Sequence, residues 1–127
     1  MRKSRPAGYN LPKLLNLAVL LVISRAGEGG IHGYQTKKLL SELPLTKRRP
    51  PDISGVYRTL QRLENQGFLI SEAGERVGGP DRRLFRITSA GMVHFKEWVE
   101  ALEEWHYEIH RLVLEARTAG IIDTVLE

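Results

Sequence analysis

Between Leu14 and Ile23 the chain is apolar at nearly every position, interrupted by Asn16. A run of this length, apolar almost all round, predicts a helix at the centre of a core rather than one with a wet face. The helix is expected over about Leu11 to Arg25, with Pro12 accommodated in its first turn. Gly27-Glu28-Gly29-Gly30 then stops it. A second helix is expected from about His32 to Leu43, with Leu39, Leu40 and Leu43 on one face and Pro44 ending it. The segment Leu45-Thr46-Lys47-Arg48-Arg49-Pro50-Pro51 reads as a basic loop held extended by its prolines.

The third helix has the clearest boundaries. Asp52 is a good N-cap, Val56, Leu60 and Leu63 recur on one helical face, and Gly67 is placed to end the helix. Tyr57, Arg58, Gln61, Arg62 and Asn65 are left to look outward or sideways. Phe68 to Ala73 and Leu84 to Thr88 read as strands of a β-hairpin whose turn, Gly74 to Asp81, is glycine-rich with one proline. Ser89 is placed to cap a last helix running to about Thr118, ~45 Å long at the usual rise. Its apolar positions, Phe95, Trp98, Val99, Leu102, Trp105, Ile109, Leu112, Val113 and Ala116, advance in steps of three and four apart from adjacent pairs.

Three helices, a hairpin and a long final helix give a mostly α chain with a small β-hairpin. This is the element order of a winged helix-turn-helix domain followed by a dimerisation helix. The divisions are a basic arm over 1–10, the winged domain over 11–90, the dimerisation helix over 91–120 and a tail over 121–127. Such a domain suits DNA physically, because a capped helix with short polar and cationic side chains on its outer face can enter the major groove. Winged helices also serve as protein-binding modules, so a module that has lost DNA binding is the alternative.

Charge sharpens this expectation. Residues 1–62 carry twelve Lys/Arg and three Asp/Glu, a balance of +9, whereas residues 63–127 carry seven and twelve, a balance of −5. A basic front half suggests a polyanion partner, and an acidic rear half argues against a molecule that coats nucleic acid throughout. The basic Met1-Arg2-Lys3-Ser4-Arg5 before an apolar run mimics a secretory signal. However, Ser24-Arg25-Ala26-Gly27 lacks the small-residue cleavage pattern, and the run is too short to span a bilayer. A cytoplasmic protein without membrane association is expected. The chain has no cysteine, which excludes disulfides, thiol nucleophiles and thiolate metal sites. Glu103, His106 and His110 have the spacing of helical metal ligands, but without further context they predict no metal. No nucleophile–base pair and no phosphate-binding glycine loop is present, so neither an enzyme nor a cofactor is expected.

Several short motifs resemble those of PadR-type regulators. They are His32-Gly33-Tyr34, Val56-Tyr57 with Leu60-Gln61-Arg62-Leu63-Glu64-Asn65-Gln66-Gly67-Phe68-Leu69, and Gly78-Gly79-Pro80 followed by Arg82 to Gly91. The resemblance covers about residues 11–91 in the family's order. It departs from the family at Arg58, where proline is usual, at Gly55, where a small hydroxyl residue is usual and Ser54 stands beside it, and at Leu84, where an aromatic is usual. The resemblance implies a dimeric repressor of bacterial or archaeal type, in a family some of whose members respond to small molecules. A two-fold dimer places two copies of the third helix for successive major grooves of double-stranded DNA, so an inverted-repeat operator is expected.

The candidate DNA contacts are Tyr34, Lys47, Arg48, Arg49, Ser54, Tyr57, Arg58 and Arg62, with Arg82 and Arg83 on the wing. Tyr34 is expected to bond a phosphate or to pack on the third helix. The candidate dimer interface is Phe95, Trp98, Leu102, Trp105, Ile109 and Leu112. Trp98 and Trp105, one heptad apart, are read either as interface packing or as a pocket for a flat, small hydrophobic effector.

Overall fold

The computed structural model describes residues 11–73 and 83–120. The expectations for the basic arm, the Gly78-Gly79-Pro80 tip, Arg82 and the tail lie outside the described residues. The elements are α1 (Leu11–Ala26), a 3-10 turn (Gly27–Gly29), β1 (Ile31–His32), α2 (Gly33–Leu40), α3 (Pro44–Lys47), α4 (Ile53–Asn65), β2 (Leu69–Ala73), β3 (Arg83–Ile87) and α5 (Ser89–Thr118). No helix among the described residues is long and apolar enough to cross a membrane.

The apolar run makes α1 the central helix. Leu17, Ala18, Val19, Leu20, Val22 and Ile23 are buried, and α2, α4, β3 and α5 all pack against it. Val56, Leu60 and Leu63 of α4 are buried as their spacing predicts, joined by Thr59. The Asp52 carboxylate accepts from the Gly55 N–H at 2.9 Å, as an N-cap should. Gly67 follows the helix at φ +86°, a conformation that costs glycine little.

Four details differ from the sequence expectation. Pro44 does not simply end the second helix: it is the first residue of the short α3, so the basic segment begins as a helical turn rather than an extended loop. The buried Thr46 hydroxyl holds this turn by donating to the Leu40 carbonyl. Leu39 lies outside the expected face and is 42% exposed, while Thr36 and Leu40 are the buried positions. The hairpin gains a third strand, β1, which pairs antiparallel with β3 through Ile31↔Phe85 and His32↔Leu84 in the order β1-β3-β2. Finally, Thr88 rather than Ser89 caps α5. Its hydroxyl accepts from the Gly91 N–H at 2.9 Å and donates to the Gly67 carbonyl at 2.7 Å. One side chain thereby joins the end of the α4 turn to the start of the last helix.

The first half of α5 lies on the body, where Phe95, Trp98 and Leu102 pack against the core cluster. The His94 ring stacks on Phe68 with centroids 4.1 Å apart and meets Trp98 edge-on at 6.2 Å. Lys13 Nζ stands 5.4 Å from the centroid of that Trp98 ring. Burial pushes the His94 pKa below the ordinary histidine value, with the Glu97 carboxylate pulling the other way. The folded state therefore holds this proton less tightly than the unfolded chain. The stabilisation is complete above about pH 6.5 and is lost as pH falls from there through the lowered folded-state pKa. On acidification from pH 7.5 to 5.5, the denaturation midpoint should fall further in the native chain than in His94→Phe, which keeps the stack without a titrating group. Parallel curves for the two proteins would remove His94 from the account.

Candidate nucleic-acid interface

The α4 helix turns its core side to Val56, Thr59, Leu60 and Leu63, so the positions diametrically opposite face solvent. Those positions are Ser54, Arg58, Gln61 and Asn65, spaced four, three and four, and all four are exposed. The expected contacts separate here. Ser54 and Arg58 lie on this outer ridge, whereas Tyr57 and Arg62 sit on its two flanks. Tyr57 leans on α2, and a Cβ added to Gly33 would overlap its ring, with Tyr57 Cζ only 2.6 Å away. Arg62 turns the other way, toward α1, where its Nη1 is 3.5 Å from Asn16 Oδ1.

This gives the His32-Gly33-Tyr34 motif a physical meaning. His32 occupies the N-cap position of α2, and its backbone carbonyl accepts from the Thr36 hydroxyl at 2.9 Å. Gly33 is buried and bare because the Tyr57 ring fills the space a side chain would need. Tyr34, 62% exposed, projects into solvent, so its hydroxyl is available to a phosphate and the ring is not packed away. Lys47, Arg48 and Arg49 are exposed at the end of α3 and just beyond it.

Between α4 and the sheet lies a concavity of about 610 Å³, walled by Ser54, Tyr57, Arg58 and Gln61 on one side and Arg83 and Phe85 on the other. A hydrogen-bond chain closes one end of it. The Ser71 hydroxyl donates to Glu64 Oε2 at 2.8 Å and accepts from Arg83 Nε at 3.0 Å. Arg83 is thus exposed at the base of the wing but positioned from the end of α4. Neither Glu64 nor Ser71 was expected from sequence, because the contact forms only once β2 and β3 pair through Ser71↔Phe85 and Ala73↔Arg83. Gln61 was visible in the sequence as one outward residue among several. The signal that singles it out is its place in the four-three-four row opposite Val56, Leu60 and Leu63.

On α5, Trp105 is half-buried, while Ile109 and Leu112 are exposed at 46% and 69%. The six residues expected at a dimer interface therefore divide between three that pack on this chain's own core and three farther along the same stripe.

Comparison with known proteins gives a consistent picture. Residues 19–97 match the family model described as "Transcriptional regulator PadR-like family". The chain is similar to the transcriptional regulator Rv3488 of Mycobacterium tuberculosis, with 36% identity over 101 residues, covering 80% of this chain and 88% of that protein. Its fold is similar to a PadR-like transcriptional regulator from Bacillus cereus, with a TM-score of 0.67 at 19% identity, covering 81% of this chain and 94% of that one. It is also similar to Bacillus subtilis PadR in complex with operator DNA, with a TM-score of 0.58 at 19% identity, covering 70% of this chain and 48% of that one.

Proposed function

The chain belongs to the PadR-like family of transcriptional regulators, and from that premise we propose that it is a cytoplasmic, sequence-specific repressor that binds an inverted-repeat operator as a homodimer. The observation that carries this reading is the outer ridge of α4. It is polar and cationic, it stands opposite the core, and it faces Arg83 of the wing, with the exposed basic end of α3 just ahead of it in the chain. A helix so presented enters the major groove, while Arg83, Lys47, Arg48, Arg49 and Tyr34 take up phosphates on either side. Arg82, the second wing arginine, belongs to the same phosphate set. The solved operator complex of Bacillus subtilis PadR supports the reading by its similar fold. No catalytic step is assigned to any residue. Trp98 and Trp105, two half-buried indoles on one stripe, are the site at which a small hydrophobic effector acts in this reading.

Selection of bound duplexes from a random pool tests the proposal. A two-fold symmetric consensus is expected, with affinity that falls steeply as salt rises. Arg58→Ala should weaken binding to the selected site by roughly 1–3 kcal/mol while leaving the unfolding curve unchanged, since the side chain is exposed. A pool with no enriched sequence, or binding insensitive to salt, would reject the reading.

A further inference from the structure

We infer that Gln61 is a base-reading residue, selecting adenine beside a guanine read by Arg58, and that Arg62 reads no base. The inference rests on the DNA-binding reading of α4 and adds to it the specificity of two positions in each half-site.

A helix lying in the major groove presents to the base edges the line farthest from its own domain, while its flanks meet the phosphate walls. On α4 that line runs through Ser54, Arg58, Gln61 and Asn65, opposite the buried Val56, Thr59, Leu60 and Leu63. Arg62 stands roughly 70° round the helix from it at 3.6 residues per turn, and its guanidinium reaches toward Asn16 on α1. Gln61 also borders the concavity between α4 and the wing, so its side chain faces open space on that side as well. The acid at the far end of that space, Glu64, is engaged by the Ser71 hydroxyl. Among the described residues the Gln61 amide has no protein partner that contact with DNA would have to displace.

The chemistry of the two side chains then fixes what they read. A glutamine amide offers one acceptor and a pair of donors, which match the adenine N6 amino group and N7 in the major groove. The Arg58 guanidinium matches guanine O6 and N7. Its Nη2 lies 3.7 Å from the point where a Cβ on Gly55 would stand, so the side chain lies back along the helix toward its N-terminus. Arg58 and Gln61 are three residues apart, about 4.5 Å along the helix axis. Base pairs rise about 3.4 Å per step. The two residues therefore reach base pairs one or two steps apart, and each half-site contains a G·C and an A·T pair at that separation.

The experiment is selection from a random duplex pool with the full chain, with Gln61→Ala and with Gln61→Glu, followed by affinity measurements on the native consensus. The native chain should select G and A one or two steps apart in each half-site. Gln61→Ala should keep every selected position except the adenine and bind the native site roughly 5- to 150-fold more weakly, the loss of one bidentate base contact. Gln61→Glu should shift that position toward cytosine, whose amino group a carboxylate accepts. Arg62→Ala should leave the consensus unchanged. A native consensus reproduced in full by both Gln61 variants, or one that loses a position in Arg62→Ala, overturns this inference alone. A native pool without any consensus overturns the DNA-binding reading and this inference with it.

Discussion

Gly91→Ala should destabilise the fold by about 1–2 kcal/mol or more, although it places a better helix former inside a helix. Alanine in a helix interior is favoured over glycine by up to about 1 kcal/mol. Here that gain is outweighed. Gly91 lies in the first turn of α5, buried against the end of the α4 turn, and a Cβ at this position would overlap the Phe68 carbonyl oxygen with Ile87 Cγ1 at 2.8 Å. That oxygen is not free to move, because it accepts from the Thr88 N–H at 3.0 Å, and Thr88 is the residue that caps α5 and holds the Gly67 carbonyl. Relieving the overlap means shifting α5 away from β2 and loosening the cap. Overpacking of this kind typically costs 1–3 kcal/mol and sometimes more. A lowering of the melting temperature by roughly 5 °C or more is the expected reading for a chain of this size. Gly29→Ala is the matched control, since nothing lies within 4 Å of the added methyl there. Equal melting temperatures for the two variants would show that α5 rides freely on the hairpin.

Elements defined by their own local chemistry were legible in the sequence. The α4 helix has a carboxylate cap, a four-three apolar face and a left-handed glycine after it, and each of these signals is local. The central position of α1 followed from a run with no polar face. Signals that admit two local outcomes were decided by partners distant in sequence. Pro44 serves equally as a terminator or as a first helical residue, and the buried Thr46 hydroxyl on the Leu40 carbonyl settles it as the latter. Thr88 and Ser89 are both suitable caps, and the Gly67 carbonyl selects Thr88. A two-residue strand such as β1 has no periodicity to read; it exists because β3 lies beside it. For the candidate interface, the residue types were visible but their division was not. Tyr57 leans on the bare Gly33 of α2 and Arg62 reaches toward Asn16 of α1, so two of the four α4 residues expected as contacts from sequence lie on the flanks of the ridge.

Ile109→Glu combined with Leu112→Glu should convert the protein to a monomer and weaken its binding to a full inverted repeat by about 10²- to 10⁴-fold. One continuous apolar stripe runs along α5. Gly91, Phe95, Trp98 and Leu102 press the first half of α5 onto this chain's own body. The same stripe continues through Trp105, Ile109, Leu112 and Val113, and in this second half Ile109, Leu112 and Val113 are 46%, 69% and 41% exposed. At ~1.5 Å per residue the helix runs on for more than 20 Å past Leu102. Burying each of these large side chains is worth roughly 1.5–3 kcal/mol, and a two-fold partner buries both copies at once, which makes a second chain the economical cover. Truncation after Gly91 would not test this cleanly, because it also removes Phe95, Trp98 and Leu102 from the core. The double glutamate variant leaves those contacts in place, and glutamate is a good helix former, so the domain should stay folded. The affinity loss arises because a dimer holds its second reading head at millimolar effective concentration over the second half-site, a gain of 10²–10⁴ that a monomer forgoes. Sedimentation or light scattering at micromolar concentration reads the assembly, and titration of full and half operators reads the coupling. The native chain should strongly prefer the full repeat, and the variant should bind full and half sites almost alike. A native chain that is monomeric at micromolar concentration, or a variant that keeps the preference for the full repeat, would place the contact between copies elsewhere than on the far half of α5.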